Sequence, residues 1–275
     1  MQSFLLESDV DEIVGRLTGV AQAFSGKTVL LTGARGFLGR YFMEIFAGLN
    51  EKVLDEPVRL VGLDNMITAG KTGAEIPNHP NMEFVNHDVI LPFNWEGPLD
   101  FVIHAAGIAS PYYYRAYPLE TLEVAITGTR RMLELTDQHG ARLAFFSSSE
   151  IYGDPNISPQ IESYFGNVNP IGPRSCYDEG KRASETLFMD YHKMHGVKVK
   201  IARIFNTYGP YMSFDDGRVV SNFINQCLKN KPITIYGNGL QTRSFCYIDD
   251  LTKIIFLLMS DKSGFTGPMN IGNPN

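Results

Sequence analysis

Tyr177 and Lys181, four residues apart in RSCYDEGKR, share one face of any helix that contains them, roughly 5 to 6 Å apart at Cβ. A phenol beside an ammonium is a base suited to neutral pH, because the positive charge favours the phenolate. A chain with 13 tyrosines also produces such a pair by chance, so the chemistry needs supporting residues. Ser147, Ser148, Ser149 and Glu150 supply some: three hydroxyls and an acid leave the apolar run RLAFF together and are poor core material. Upstream, TGARGFLG spaces Gly33, Gly36 and Gly39 as GxxGxxG between an apolar run and a helical pattern. Glycines there permit a tight turn and a close backbone approach. The helix opening, with Phe37 and Leu38, then offers unpaired N–H groups to a pyrophosphate.

Asp64 ends the next apolar run, 25 residues after Gly39. An acid at that point accepts hydrogen bonds from an adenosine ribose and repels a 2′-phosphate, which favours NAD over NADP. Asn65 beside it, and Asp88 with Val89 after the third run, complete the expected adenine end. Arg35, inside the turn, is the one group there that suits a 2′-phosphate.

Six apolar runs must position these residues: 27–33, 59–64, 82–88, 99–106, 142–149 and 198–206. Near-continuous apolar strands of this kind suit a parallel sheet covered by helices on both faces. Helical patterns fall between them at 37–50, 118–138 and 177–195. In the last, Ala183, Leu187, Phe188, Tyr191 and Met194 form an apolar stripe that Gly196 stops. The expected fold is therefore α/β, a Rossmann-type doubly wound parallel sheet with a smaller C-terminal substrate-binding lobe. Residues 1–26 read as a helical extension with Ser8 or Asp9 as N-cap. Residues 27–206 read as the NAD-binding domain, with a Gly/Pro-rich loop at 151–176 facing substrate, and 207–275 as the lobe.

The chain has 275 residues, 44% of them hydrophobic, which is ample for a core. A net charge of −6 without a basic run argues against a nucleic-acid surface. No apolar run approaches the roughly 18 residues of a membrane span, and acidic residues come too early for a signal peptide, so a cytoplasmic protein is expected. Cys176, Cys227 and Cys246 are odd in number and scattered, which suits a reducing compartment. His192 and His195 lack a third ligand nearby, so no metal site is expected.

The order of glycine turn, ribose acid, serine and Tyr-x-x-x-Lys resembles the extended short-chain dehydrogenase/reductase superfamily. SSSEIYGDP, NPIGPRSCYDEGKRASE, ARIFNTYGP, DDGRVVSNFI and YGNGLQTRSFCYIDDL together look like the UDP-glucuronate decarboxylases, or UDP-xylose synthases, of the NAD-dependent epimerase/dehydratase family. The resemblance covers most of residues 27–275. It implies that Tyr177 takes the proton of the sugar's C4 hydroxyl, that Ser148 orients that hydroxyl and that Lys181 holds a ribose hydroxyl. Glu150 then assists decarboxylation or the protonation that follows. It implies, further, that Ser149, Asn206, Arg218, Tyr236 and Arg243 meet a UDP-linked sugar, and that the helices at 118–138 and 177–195 pair in a homodimer.

Two features depart from that family. Glu123 and Ala125 stand where the related decarboxylases usually have lysine and asparagine, and an extra carboxylate near the cleft weakens recognition of an acidic sugar. Family members also continue for several tens of residues beyond a segment like MNIGNPN, so the lobe is expected to be incomplete. The alternatives are a 4-epimerase or a 4,6-dehydratase of another nucleotide sugar, and a non-catalytic NAD-binding regulator. The dehydratases normally carry an Asp-Glu pair where this chain has Ser149-Glu150, and intact Ser148, Tyr177 and Lys181 argue against the regulator.

Overall fold

The apolar runs become strands whose order places the glycine turn and the serine run at the same edge. The computed structural model describes residues 7–68, 79–210, 212–213 and 216–273, so residues 1–6 of the expected extension lie outside it. The strands are β1 Thr28–Thr32, β2 Arg59–Asp64, β3 Met82–Asn86, β4 Phe101–His104, β5 Arg142–Ser148, β6 Lys198–Ile204, β7 Asn206–Tyr208, β8 Phe245–Tyr247 and β9 Pro268–Ile271. The helices are α1 Glu7–Ala21, α2 Phe37–Lys52, α3 Pro111–Ala116, α4 Pro118–Glu123, α5 Thr129–His139, α6 Ser175–His195, α7 Val219–Leu228 and α8 Ile248–Ser260.

Seven strands form one sheet in the order β3-β2-β1-β4-β5-β6-β9, every pair parallel. This is the expected doubly wound α/β architecture. One face is covered by α1, α2 and α8 around Phe24, Phe42, Phe46 and Phe256, the other by α5 and α6 around Leu133, Phe145 and Phe188. β1 is buried at every position because it is central and covered on both faces; the edge strand β3 is only partly covered.

Four expectations change in detail. Ser8 and Asp9 lie inside the first turn of α1 rather than capping it. Asp9 instead accepts hydrogen bonds from Tyr41 (2.9 Å) and Tyr247 (3.2 Å). The single helix expected over 118–138 is interrupted by a π turn at Val124–Gly128. There Ser184 Oγ donates to the Ala125 carbonyl (2.7 Å), drawing off a group that an α-helix would keep. Met194, placed in the apolar stripe of α6, is 79% exposed. Phe188 of that stripe is buried with Leu187 and Tyr191 packed beside it, and α6 also buries Tyr177, Lys181 and Ser184. Finally, β9 returns to the main sheet beside β6 and α8 covers it, so residues 248–271 belong to the central layers. Only β7 and β8 make a separate two-stranded sheet.

Candidate active site

The glycine turn closes between β1 and α2. Gly33 has φ +72°, and a Cβ there would stand 2.8 Å from the Ala105 carbonyl carbon; one at Gly39 would stand 2.0 Å from the Gly33 oxygen. Only glycine lets the backbone close this way. α2 starts after Gly36 with no side-chain cap, leaving the N–H groups of the turn holding Phe37 and Leu38 to an anion. The Phe37 ring itself packs edge-on to Tyr41 at 5.7 Å.

A cleft of about 280 Å³ runs from this turn along the ends of β2, β3 and β4, and Asp64, Asn65, Asp88 and Val89 all line it. Asp64 accepts the backbone N–H groups of Arg35 (2.9 Å) and Met66 (2.7 Å). Burial raises its pKa, and these two bonds with the charges of Arg35 and Arg40 oppose the rise. Asn65 donates to Asp88 (2.9 Å), which also accepts the Ile90 N–H (3.1 Å). The cradle that a Cβ would fill and the acids at the strand ends fit a dinucleotide extended along the cleft.

Beyond the cleft lie the reacting groups. β5 delivers Ser148, and a 3₁₀ turn at Ser149–Tyr152 carries Ser149 and Glu150. Ser148 Oγ accepts the Glu150 N–H (3.2 Å) and hydrogen-bonds Tyr177. Tyr177 and Lys181 are 9% and 7% exposed, although both are polar. Burial pushes Tyr177 up to about 12; Ser148 opposes, Glu150 adds to the rise and Arg218 opposes it. Lys181, expected as the activating charge, lies with its ammonium 5.8 Å from the Tyr177 ring, gives a hydrogen bond to the Phe146 carbonyl (2.7 Å) and stands 4.7 Å above the Phe145 ring. Burial lowers its own pKa to about 8. Tyr177 is thus a poor base until positive charge approaches its oxygen.

The structure brings together Ser148, Ser149, Glu150, Tyr177, Lys181 and, through its charge, Arg218 at the start of α7. Arg218 is paired with Asp216 (2.8 Å). Three further substrate candidates have partners of their own or lie open to solvent. Asn206 gives its amide to the Ser244 carbonyl (3.3 Å). Tyr236 is 72% exposed in a segment without strand structure, and Arg243 is exposed and bonds the Thr242 carbonyl (2.7 Å). Glu123 lines the cleft and accepts the Thr127 hydroxyl (2.7 Å), while Ala125 lies beside Tyr177 and Lys181.

Other residues support the site without having been singled out. Arg174 precedes α6 and pairs with both Glu150 and Asp178, the latter at 3.2 Å. Burial and the charge of Glu150 push Asp178 up to about 6 against the opposing Arg174. An i,i+4 arginine and aspartate in RSCYD were the available signal. Tyr114 stacks on Tyr177 at 5.5 Å. His104 is buried between Thr32 (2.8 Å) and Thr129 (3.2 Å), and burial lowers its pKa to about 3. Thr32 Oγ also accepts the Ala106 N–H (3.1 Å). Ser147 turns away from the cleft to Glu185 (2.6 Å), itself paired with Arg203 (2.7 Å).

Residues 29–272 match the model of the NAD dependent epimerase/dehydratase family. The chain is 46% identical over 251 residues to UDP-glucuronic acid decarboxylase 6 of Arabidopsis thaliana, covering 91% of this chain and 70% of that protein. It is 46% identical over 249 residues to UDP-glucuronic acid decarboxylase 1 of Xenopus tropicalis, covering 90% and 56%. Among solved structures it is similar to UDP-N-acetylglucosamine 4-epimerase from Methanobrevibacter ruminantium M1, with TM-score 0.75, 25% identity and coverage of 90% and 77%. A mutant of Bacillus cereus UDP-glucuronic acid 4-epimerase, solved with NAD and a fluorinated substrate analogue, gives TM-score 0.72, 26% identity and coverage of 90% and 78%.

Proposed function

The chain belongs to the NAD-dependent epimerase/dehydratase family, and from that membership we propose that it converts UDP-glucuronate to UDP-xylose and carbon dioxide. The observation that carries this reading is the 46% identity to proteins named as decarboxylases over nine-tenths of the chain. The turn bearing Glu150 beside Tyr177 supports it.

NAD held at the glycine turn and by Asp64 would supply hydride acceptance at the sugar's C4 and its later return, with no net consumption. Tyr177 removes the proton of the C4 hydroxyl, and Ser148, already bonded to that phenol, orients the hydroxyl. Lys181 contributes positive charge behind the phenol and a donor for a ribose hydroxyl. The C4 ketone makes the C5 carboxylate a β-keto acid, whose carbon dioxide leaves because the electron pair is taken into an enolate. Glu150 assists that departure or the protonation of C5. Ser149 and Arg218 face the sugar, with the loop at 151–176 and the region of β7 and β8 forming the substrate side. A dehydratase would need an acid where Ser149 stands.

The reading extends to a twofold dimer through α4, α5 and α6, supported by apolar side chains left outside, among them Leu119 at 78% and Met194 at 79% exposure. Among the described residues no helix is long and apolar enough to cross a membrane.

Release of carbon dioxide from UDP-glucuronate, and none from UDP-glucose, tests the reaction. Epimerised UDP-hexuronate without carbon dioxide would replace decarboxylase by 4-epimerase.

A further inference from the structure

Glu150 sits on a single 3₁₀ turn, and its carboxylate is gripped from the side by the Arg174 guanidinium. Arg174 is the residue before α6 and is shared with Asp178, which follows Tyr177 directly. Asp178 is 7% exposed, and its Oδ1 is buried without a hydrogen-bond partner. A buried carboxylate oxygen left unpaired is destabilising, so this arrangement is a poor device for stability and a good one for aiming a neighbour.

We infer that Arg174 and Asp178 are positioning residues that hold Glu150 for the half of the reaction that releases carbon dioxide, and that they leave the oxidation half alone. The inference rests on the decarboxylase reading. The side chains assigned to oxidation have other hydrogen-bond partners: Lys181 bonds the Phe146 carbonyl and Tyr177 bonds Ser148, so Asp178 reaches the phenol through its charge alone, which adds to the burial that raises the Tyr177 pKa. When the bond from C5 to the carboxyl carbon breaks, its electron pair enters the enolate. A proton must then add to C5, and the group that gives it is reloaded from solvent, so one proton is consumed per carbon dioxide. Arg174 stays protonated and has none to give. The Glu150 carboxyl can carry one, provided it is aimed at C5.

Single-turnover experiments with NAD and UDP-glucuronate separate the halves, reading reduced nicotinamide by absorbance and carbon dioxide independently. Arg174→Met is expected to slow carbon dioxide release by about 10- to 100-fold, the scale of a misplaced group, while reduced nicotinamide and the keto sugar accumulate at the wild-type rate. Asp178→Asn should do the same more weakly, and Arg174→Lys should recover part of the loss. Combining Arg174→Met with Glu150→Gln should be no slower than Glu150→Gln alone, within about twofold.

Wild-type carbon dioxide release in Arg174→Met, slowed oxidation, or additive losses in the double variant would overturn the inference. So would a raised KM with the carbon dioxide step intact, which would make Arg174 a substrate contact. A wild-type protein that releases no carbon dioxide refutes the decarboxylase reading instead. A crystal structure of Arg174→Met then decides the positioning by itself: a displaced Glu150 carboxylate is expected, and an unmoved one overturns it.

Discussion

At Tyr177 the protein hides a phenol from water and so makes it a weaker acid, less often ionised, than one in solution. Ser148 and Arg218 oppose that rise in pKa, and the Lys181 ammonium lies 5.8 Å from the ring. Tyr177→Phe removes only the oxygen, so turnover should fall by about 10²- to 10⁴-fold while dinucleotide binding, read by fluorescence quenching, stays unchanged. Asp178 has an opposite balance of function and stability. The native protein keeps its proton up to about 6, whereas an unfolded aspartate releases it near 3.9. Between those values the native state binds more protons than the unfolded one, so the residue's contribution to stability falls as pH rises through the window and stays unfavourable above it. Asp178→Asn should therefore be more stable than wild type at pH 7 by about 3 kcal/mol at 1.36 per pKa unit. That gain should vanish below about pH 4, as thermal unfolding at both values will read. The same variant should be the slower enzyme.

Among the elements, the glycine turn and the serine run could be read from sequence because each is defined by neighbours along the chain. Gly33, Gly36 and Gly39 sit within one turn, and Ser148 ends the strand that delivers it. Gly39→Ala should abolish dinucleotide binding in calorimetric titration, since its Cβ would overlap the Gly33 oxygen at 2.0 Å, and lower stability by about 1–3 kcal/mol. The grip of Arg174 on Glu150 could not be read this way, because the partners stand 24 positions apart in the sequence. The π turn at Val124–Gly128 was equally hidden. Its cause, the Ser184 hydroxyl, arrives from α6, and a run of helix-forming residues carries no mark of a neighbour that takes one of its carbonyls.

For the molecule as a whole, the alternation of strands and helices was enough to give six strands in a parallel sheet covered on both faces, since each crossover covers the sheet it leaves. The return of β9 to that sheet was not, because PMNI is short and follows a long stretch without a repeating pattern. Tyr236 and Arg243, in segments that match the family, are both exposed. Assembly belongs to this scale too. If α4, α5 and α6 pair across a twofold axis, Leu119→Lys combined with Met194→Lys should shift a dimeric mass to a monomeric one in light scattering, with the fold unchanged by circular dichroism. A monomeric wild type would remove the dimer from the account.

The central claim is that C4 oxidation here serves to expel the C5 carboxyl and replace it with a proton. UDP-glucuronate labelled at the carboxyl carbon, incubated with the protein and NAD in heavy water and read by mass spectrometry, tests it most directly. The account predicts labelled carbon dioxide and a UDP-pentose carrying one deuterium at C5. A UDP-hexuronate that keeps its label, with no carbon dioxide, would contradict it.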